Sequence, residues 1–558
     1  MIAKHLHHHL VALGLAIVGL GAAAASLSPD LVASMRAKPG ATQRVIVRTV
    51  ARPVAADTAM PARLGGRVTR VFTAYPGYAA QLTAASIYRI AARANVVRLS
   101  LDRPVAAANR KLPKGGVCGP WDYAARAVGA DLAWGAGDSG AGIGVAVIDT
   151  GVAPNADVPV AAFVDLVSGR AQPYDDNGHG THVAGIVAGN GTLSGGPAGP
   201  FLGMAPGARI VAVKALDGAA SGYASTVIAA IDWCIANRAA YNLRVVNLSL
   251  GQGVGESYKD DPLCQACERA VAAGLVVVAA AGNAGDGYGG IVSPGNDPAV
   301  ITVGAAKTMG TALRSDDCLA GYSSRGPTYI DNLAKPDVLA PGNRAVSLRA
   351  PGSTLDARCP GNRVLPYAYG GADNEARYFV LSGSSMAAPV VSGICALVLS
   401  SRPDLGPNAV KAAVMLSAQR IGGYDAVRGV TTSEYDWMSQ GAGYVNAIGA
   451  VKAAGMLRAD DGTVDGDGDA PAGWGSDDIQ GECVLWGNSV LWGNSVLVAK
   501  MPWALRTVHW DGSVLWGDGA PWTASVGPGA DAVQSTSVLW GNRPSRRTSS
   551  MSVLTNGE

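Results

Sequence analysis

The stretch LSGSSMAAPVVSG, residues 381–393, sets three serines among small residues at the mouth of an apolar run. Val390, Val391, Ile394, Leu397 and Val398 follow at roughly helical spacing, which predicts a buried helix opening near Ser385. A serine at such a position is most often an ordinary helix cap. It is also a place where a nucleophile gains, because the first amides of a helix have no internal partner and carry the positive end of the dipole. The small neighbours leave room for a substrate backbone. Which reading holds depends on the rest of the chain.

A nucleophilic serine needs a base and a carboxylate that orients the base. Beyond residue 25 the histidines are His179, His182 and His509. The first two lie in DDNGHGTHVAGIVAG (175–189), where a polar, glycine-broken loop runs into an apolar helical pattern. The carboxylate candidate is Asp149, at the end of the buried-strand pattern GIGVAVIDTGV (142–152). Asp175 and Asp176 precede His179, but acidic residues ahead of a helix are usually N-terminal caps. His182 lies almost a full helical turn from His179, so one serine cannot be served by both, and spacing alone does not choose between them.

VAVIDTGV, NGHGTHVAG and GSSMAAP, in that order, resemble the three signature blocks of the subtilisin family of serine proteases. VVNLSLG (245–251), VVVAAAGNAG (276–285), SPGNDPAVITVGA (293–305), YSSRGP (322–327) and KPDVLAPG (335–342) also resemble that family, so about residues 120–455 are covered. The resemblance implies an acyl-enzyme mechanism with Ser385 as nucleophile, His179 as base, Asp149 orienting it, and Asn283 with the Ser385 amide as oxyanion donors. It implies Ser249, Leu250, Gly251, Ala281 and Gly282 at the specificity pocket, and Ser221, Gly222 and Tyr223 as an edge to which an extended peptide adds. The family usually has Thr before the nucleophile; here Ser384 keeps the hydroxyl and loses a methyl. No catalytic cofactor is implied and no metal-ligating residues are named; structural calcium is compatible with the resemblance but not assignable to residues. The expected fold is α/β, a subtilisin-like three-layer arrangement with a mainly parallel sheet, because short apolar strands alternate with helices of about a dozen residues.

The wider composition agrees with a globular exported protein. The chain has 558 residues, 48% hydrophobic and 15% charged, with a net charge of +2 that argues for no particular partner and gives no reason to expect nucleic acid. Residues 1–25 carry Lys4 and then LVALGLAIVGLGAAAA, which reads as a signal peptide with a small-x-small cleavage site at Ala23 and Ala25. A secreted chain with no transmembrane segment after the leader is expected. Residues 26–118 are expected to hold a propeptide and a cleavable linker. From about Ala41 to Val105 short strand patterns surround the helix-like SIYRIAARA, and AAANRKLPKGGVCGP (106–120) is rich in Gly, Pro and basic residues. By the same resemblance the unit would act as an intramolecular inhibitor; a plain accessory domain is the other reading. The catalytic domain is expected over 119–456.

Eight cysteines in an exported chain favour some disulfides, with the pairing unreadable from sequence. Cys264 and Cys267 lack further ligands at zinc spacing. Residues 457–558 begin as an acidic, Gly-rich linker and continue as SVLWGN-like repeats. Trp474, Trp486, Trp492, Trp510, Trp516, Trp522 and Trp540 are all separated by multiples of six, and only Trp503 of this group is out of phase. An even period would put Val and Trp on one face of an extended strand; a drifted low-complexity tail explains the same letters. Two function classes follow from the whole chain: an endopeptidase acting on proteins and peptides, or a protease-like binding protein, which would normally have lost one of Asp149, His179, Asn283 and Ser385. All four are present.

Overall fold

The computed structural model describes residues 25–107, 124–195, 199, 201–370, 374–425, 430–434, 437–457, 476–479, 482–485, 495–497 and 507–509. Residues 1–24, expected to be a leader, most of the Gly/Pro-rich linker and most of the tryptophan repeat lie outside these.

The large sheet has eight strands. From one edge its order is Cys318–Leu319, Ile301–Lys307, Val276–Ala280, Leu243–Leu248, Gly144–Asp149, Arg209–Lys214 and Val160–Asp165, with Val338–Pro341 also pairing along Ile301–Lys307. All pairings are parallel except that of Cys318–Leu319. The central strand Gly144–Asp149 shows why its sequence is an unbroken apolar run: Val145 and Val147 enter the core on one face, Ala146 and Ile148 the core on the other. A parallel strand covered by helices on both sides has no wet face on which to place polar residues. One face carries the helices His179–Ala188 and Ser384–Ser401, which pack together; the other carries Ala224–Asn237 and Pro262–Ala272. Helix Ser384–Ser401 is long and apolar enough to cross a bilayer, but it is the innermost helix of this core, with 89% of it buried.

Residues 25–107 form a separate five-stranded sheet of order Ser26–Leu27, Val96–Leu101, Gln43–Thr49, Gly77–Leu82 and Arg67–Val71, with its own core of Leu31, Val45, Val47, Ile87, Ile90 and Leu99. Its first helix, Pro29–Ala37, precedes the segment from which the sequence suggested order; only Leu31 and Met35 of it are buried, too few to give a period. The unit continues into a strand, Pro104–Ala107, where the sequence read linker from residue 106. That strand runs antiparallel between Ser221–Tyr223 and Leu250–Gly251.

The expectation of disulfides is corrected for six cysteines. Cys234, Cys264, Cys267, Cys318, Cys359 and Cys395 are free thiols, all but Cys359 buried. An apolar interior accepts a small thiol without a bridge, and burial pushes the Cys234 thiol up to about 12, so it stays protonated. Cys118 and the Cys483 side chain lie outside the description. So do the side chains of the tryptophan repeat; of it the backbone shows two short hairpins, Ser476–Ile479 with Glu482–Leu485 and Ser495–Leu497 with Thr507–His509. Ile479 is fully buried and reaches Gly129 and Ile448 of the main domain.

Candidate active site

Asp149 ends the central strand at its carboxyl edge, where side chains of a parallel sheet converge. Its Oδ1 lies 2.7 Å from His179 Nδ1, with both residues fully buried, and also accepts the Thr150 amide at 2.7 Å. The bond to the carboxylate fixes Nδ1 as the protonated nitrogen and leaves Nε2 as the acceptor; Nε2 has no hydrogen-bond partner. The close approach requires Gly180, where a Cβ would run into the Gly151 carbonyl and stand 3.1 Å from the Asp149 side chain.

Asp175 joins the two segments. Its Oδ1 accepts the Thr150 hydroxyl at 2.9 Å and the amides of Asn177 and Gly178, and its Oδ2 accepts the amide and hydroxyl of Thr181. Burial pushes this carboxyl up while those donors pull it down. Lys214, beside Asp149 in the sheet register, bonds the Thr150 carbonyl and, at 2.7 Å, the Asp176 carboxylate. Sequence reasoning took Asp175 and Asp176 for caps and passed over Lys214; a lysine inside a strand pattern gives no hint that its amine is aimed at a neighbouring loop. His182 turns away, with Nε2 at 3.0 Å from the Phe379 carbonyl and 3.2 Å from that of Ala345. Burial, with His179 nearby, pushes its imidazole down to about 3, so it is neutral.

Ser385 is the second residue of helix Ser384–Ser401 and is fully buried. Pro389 stands four residues on and has no N–H to give the Ser385 carbonyl. The Ser249 hydroxyl takes that place at 2.8 Å, and is itself held by Asn247 Nδ2 at 2.9 Å. The Ser385 hydroxyl donates to the Ser249 carbonyl at 2.8 Å instead of to His179. Asn283 follows the strand Val276–Ala280; its Oδ1 accepts the Ser384 amide at 2.9 Å, which makes Nδ2 the donating end. The Ser384 hydroxyl accepts the Gly282 amide at 3.1 Å, so the residue that departs from the usual Thr clamps the Asn283 loop to the helix.

Of the residues expected to bind substrate, Ser221, Gly222 and Tyr223 on one side and Leu250 and Gly251 on the other flank Pro104–Ala107 in register: Val105 faces Gly222, and Ala106 faces both Ser221 and Gly251. Ala281 and Gly282 lie beside Val292, whose amide donates to the Ala281 carbonyl. Ser249 bonds Ser385 rather than the strand. Among the described residues no three His, Cys, Asp or Glu side chains converge as a metal site.

A hydroxyl at a helix N-terminus, a buried imidazole oriented by a carboxylate and an amide donor beside them form a set suited to acyl transfer. The model of the subtilase family matches residues 140–450, more than half of the chain. The chain belongs to the subtilase family of serine-type endopeptidases. This subtilase is 42% identical over 285 residues to the serine protease AprX of Bacillus subtilis, covering 49% of this chain and 60% of that one. It is 34% identical over 303 residues to subtilisin DY of Bacillus licheniformis, covering 54% of this chain and 92% of that one. With subtilisin E of Bacillus subtilis it shares 36% over 273 residues, 48% of this chain and 58% of that one. The subtilase therefore spans about three-fifths of AprX and of subtilisin E, and nearly all of subtilisin DY.

Proposed function

We propose that this chain is an exported serine endopeptidase made as a self-processing zymogen. The observation that carries the reading is the 2.7 Å bond from Asp149 to His179, which leaves Nε2 as an open base beside the Ser385 helix. In the reaction the Ser385 hydroxyl swings from the Ser249 carbonyl to Nε2, gives up its proton and attacks the substrate carbonyl. Asp149 stabilises the imidazolium, and Asn283 Nδ2 with the Ser385 amide receives the oxyanion. His179 then protonates the leaving amine, and water repeats the cycle on the acyl-enzyme. Losing the Asn283 donor should lower turnover about a hundred- to a thousandfold, the effect known for such a donor in subtilisin itself.

Self-processing is supported by Pro104–Ala107, which fills the position of an added peptide strand and leads toward Ser385. The unit to which it belongs is strongly held: Asp232 Oδ2 accepts the amides of Thr73, Ala74 and Tyr75 at 2.9–3.1 Å, and Asp102 caps the helix Ala224–Asn237 through the Ser225 amide and hydroxyl. Such a unit would inhibit until removed. Backbone pairing to the cleft and the absence of charge at Ala281 and Gly282 favour broad specificity among protein substrates. The export step rests on the leader at residues 1–25. The test is casein hydrolysis by the exported protein, abolished in Ser385→Ala and blocked by a serine-directed phosphonate; undiminished hydrolysis in the variant would overturn the reading.

A further inference from the structure

Arg103 directly precedes the strand that lies in the cleft, and its carbonyl accepts the Ala224 amide at 3.0 Å, so it continues the bound extended segment. Its side chain is 7% exposed and ends in a seat supplied by the main domain: Nη2 lies 2.9 Å from Glu256 Oε1 and Nη1 3.4 Å from Asp261 Oδ2, with those carboxylates 1% and 0% exposed. The floor is Gly255, where a Cβ would stand 2.8 Å from both Nε and Nη2. Beside it Gln252, 4% exposed, holds Nε2 at 3.4 Å from Asp261 Oδ2 and leaves its Oε1 without a partner.

The Asp261 side of the seat is shaped by the main domain alone, whereas the Glu256 carboxylate is held by Arg98, Ser100 and Arg103 of the N-terminal unit. Asp261 is fixed by the Leu263 amide and the Ser293 hydroxyl, each at 2.9 Å. Departure of the N-terminal unit removes Arg103, Arg98, which also holds Glu256 at 2.7 Å, and Asp30, which shares the Arg103 guanidinium. Two carboxylates then remain at the end of the peptide cleft with no cation among the described residues, around a gap that a planar, forked cation fills and a glycine keeps open.

We propose that Gly255, Glu256 and Asp261 form a guanidinium subsite of the mature enzyme, which selects substrates carrying arginine three residues before the one seated opposite Gly251. This rests on the protease reading and adds a charged determinant to a cleft otherwise bound through backbone. The full chain is expressed, allowed to process, and assayed on two internally quenched peptides carrying residues 100–114 of its own sequence, one with Arg103 and one with citrulline there. Citrulline keeps the shape and removes the charge. A charge-assisted contact of this kind is expected to raise kcat/KM for the arginine peptide about tenfold or more. Glu256→Gln and, independently, Gly255→Ala should bring the ratio of the two peptides close to one; the glycine variant carries the test if the glutamine variant does not mature. Equal cleavage of both peptides by the wild type, with casein still hydrolysed, would overturn the subsite alone; failure on casein as well would overturn the protease reading and the subsite with it.

Discussion

Ser384 is the residue whose contribution is least evident from its chemistry. It neither attacks nor accepts a proton, yet its hydroxyl satisfies the buried Gly282 amide and its own amide holds Asn283 Oδ1. Ser384→Ala orphans that amide at a cost of about 1–3 kcal/mol and loosens the loop that aims Nδ2. The expected result is a roughly tenfold fall in kcat with KM little changed, and near-normal kinetics in Ser384→Thr; a chromogenic peptide assay separates the two constants. His182 makes a prediction about pH. Its folded value of about 3 lies below the ordinary 6.5, so the unfolded chain binds a proton that the folded chain refuses between those limits. Stability is therefore lost as pH falls from about 6.5 toward 3, by up to about 1.4 kcal/mol per unit for this group. His182→Gln keeps a donor for the Phe379 and Ala345 carbonyls but does not titrate, so urea midpoints in a Ser385→Ala background should fall less steeply between pH 7 and 4 than those of the parent.

Among the elements, the strand Pro104–Ala107 would decide where the proposed self-processing cuts the chain. Because Ala106 faces Gly251 and Ala107 faces Leu250, self-processing by Ser385 is expected to cut beyond Ala107. N-terminal sequencing of the mature enzyme should give a start between residues 108 and 121, and full-length Ser385→Ala should accumulate uncut. A start near Ser26 would show that the N-terminal unit stays attached. The helix Ser384–Ser401 shows the same coupling from the other side: Pro389 removes a helical bond, and the freed Ser385 carbonyl is what ties the helix to Ser249 and so to the rim of the cleft.

For the whole molecule the open question is where the main domain ends. The sequence suggests a boundary near residue 456, yet Ile479 is buried against Gly129 and Ile448. Burying an isoleucine side chain contributes roughly 1.5–3 kcal/mol. A Ser385→Ala chain ending at residue 457 should therefore melt lower than one ending at 485, measured by calorimetry; equal midpoints would show that the Ser476–Ile479 strand adds nothing. Peptide hydrolysis is expected to survive truncation at 485, since no described residue of the site lies beyond Ser385.

Much of this was legible in the letters. The buried strands ending in turns and the helices opening at small residues around Asp149, His179, Asn283 and Ser385 are written within a dozen residues, and periodicity reports such local order directly; the roles of His179 and Asn283 come from the resemblance to the subtilisin family. The parallel sheet follows from apolar runs too uniform to have a wet face. What lay beyond the sequence are contacts between segments far apart in the chain: the strand 104–107 between 221–223 and 250–251, Asp175 gathering donors from Thr150 to Thr181, Lys214 aimed at Thr150 and Asp176, Ser249 replacing the bond that Pro389 cannot make, and the guanidinium of Arg103 between Glu256 and Asp261. Each is a polar group satisfied by a partner that folding alone brings near. The requirement that buried donors, acceptors and charges be paired is general, but the identity of the partner is decided only when the layers close.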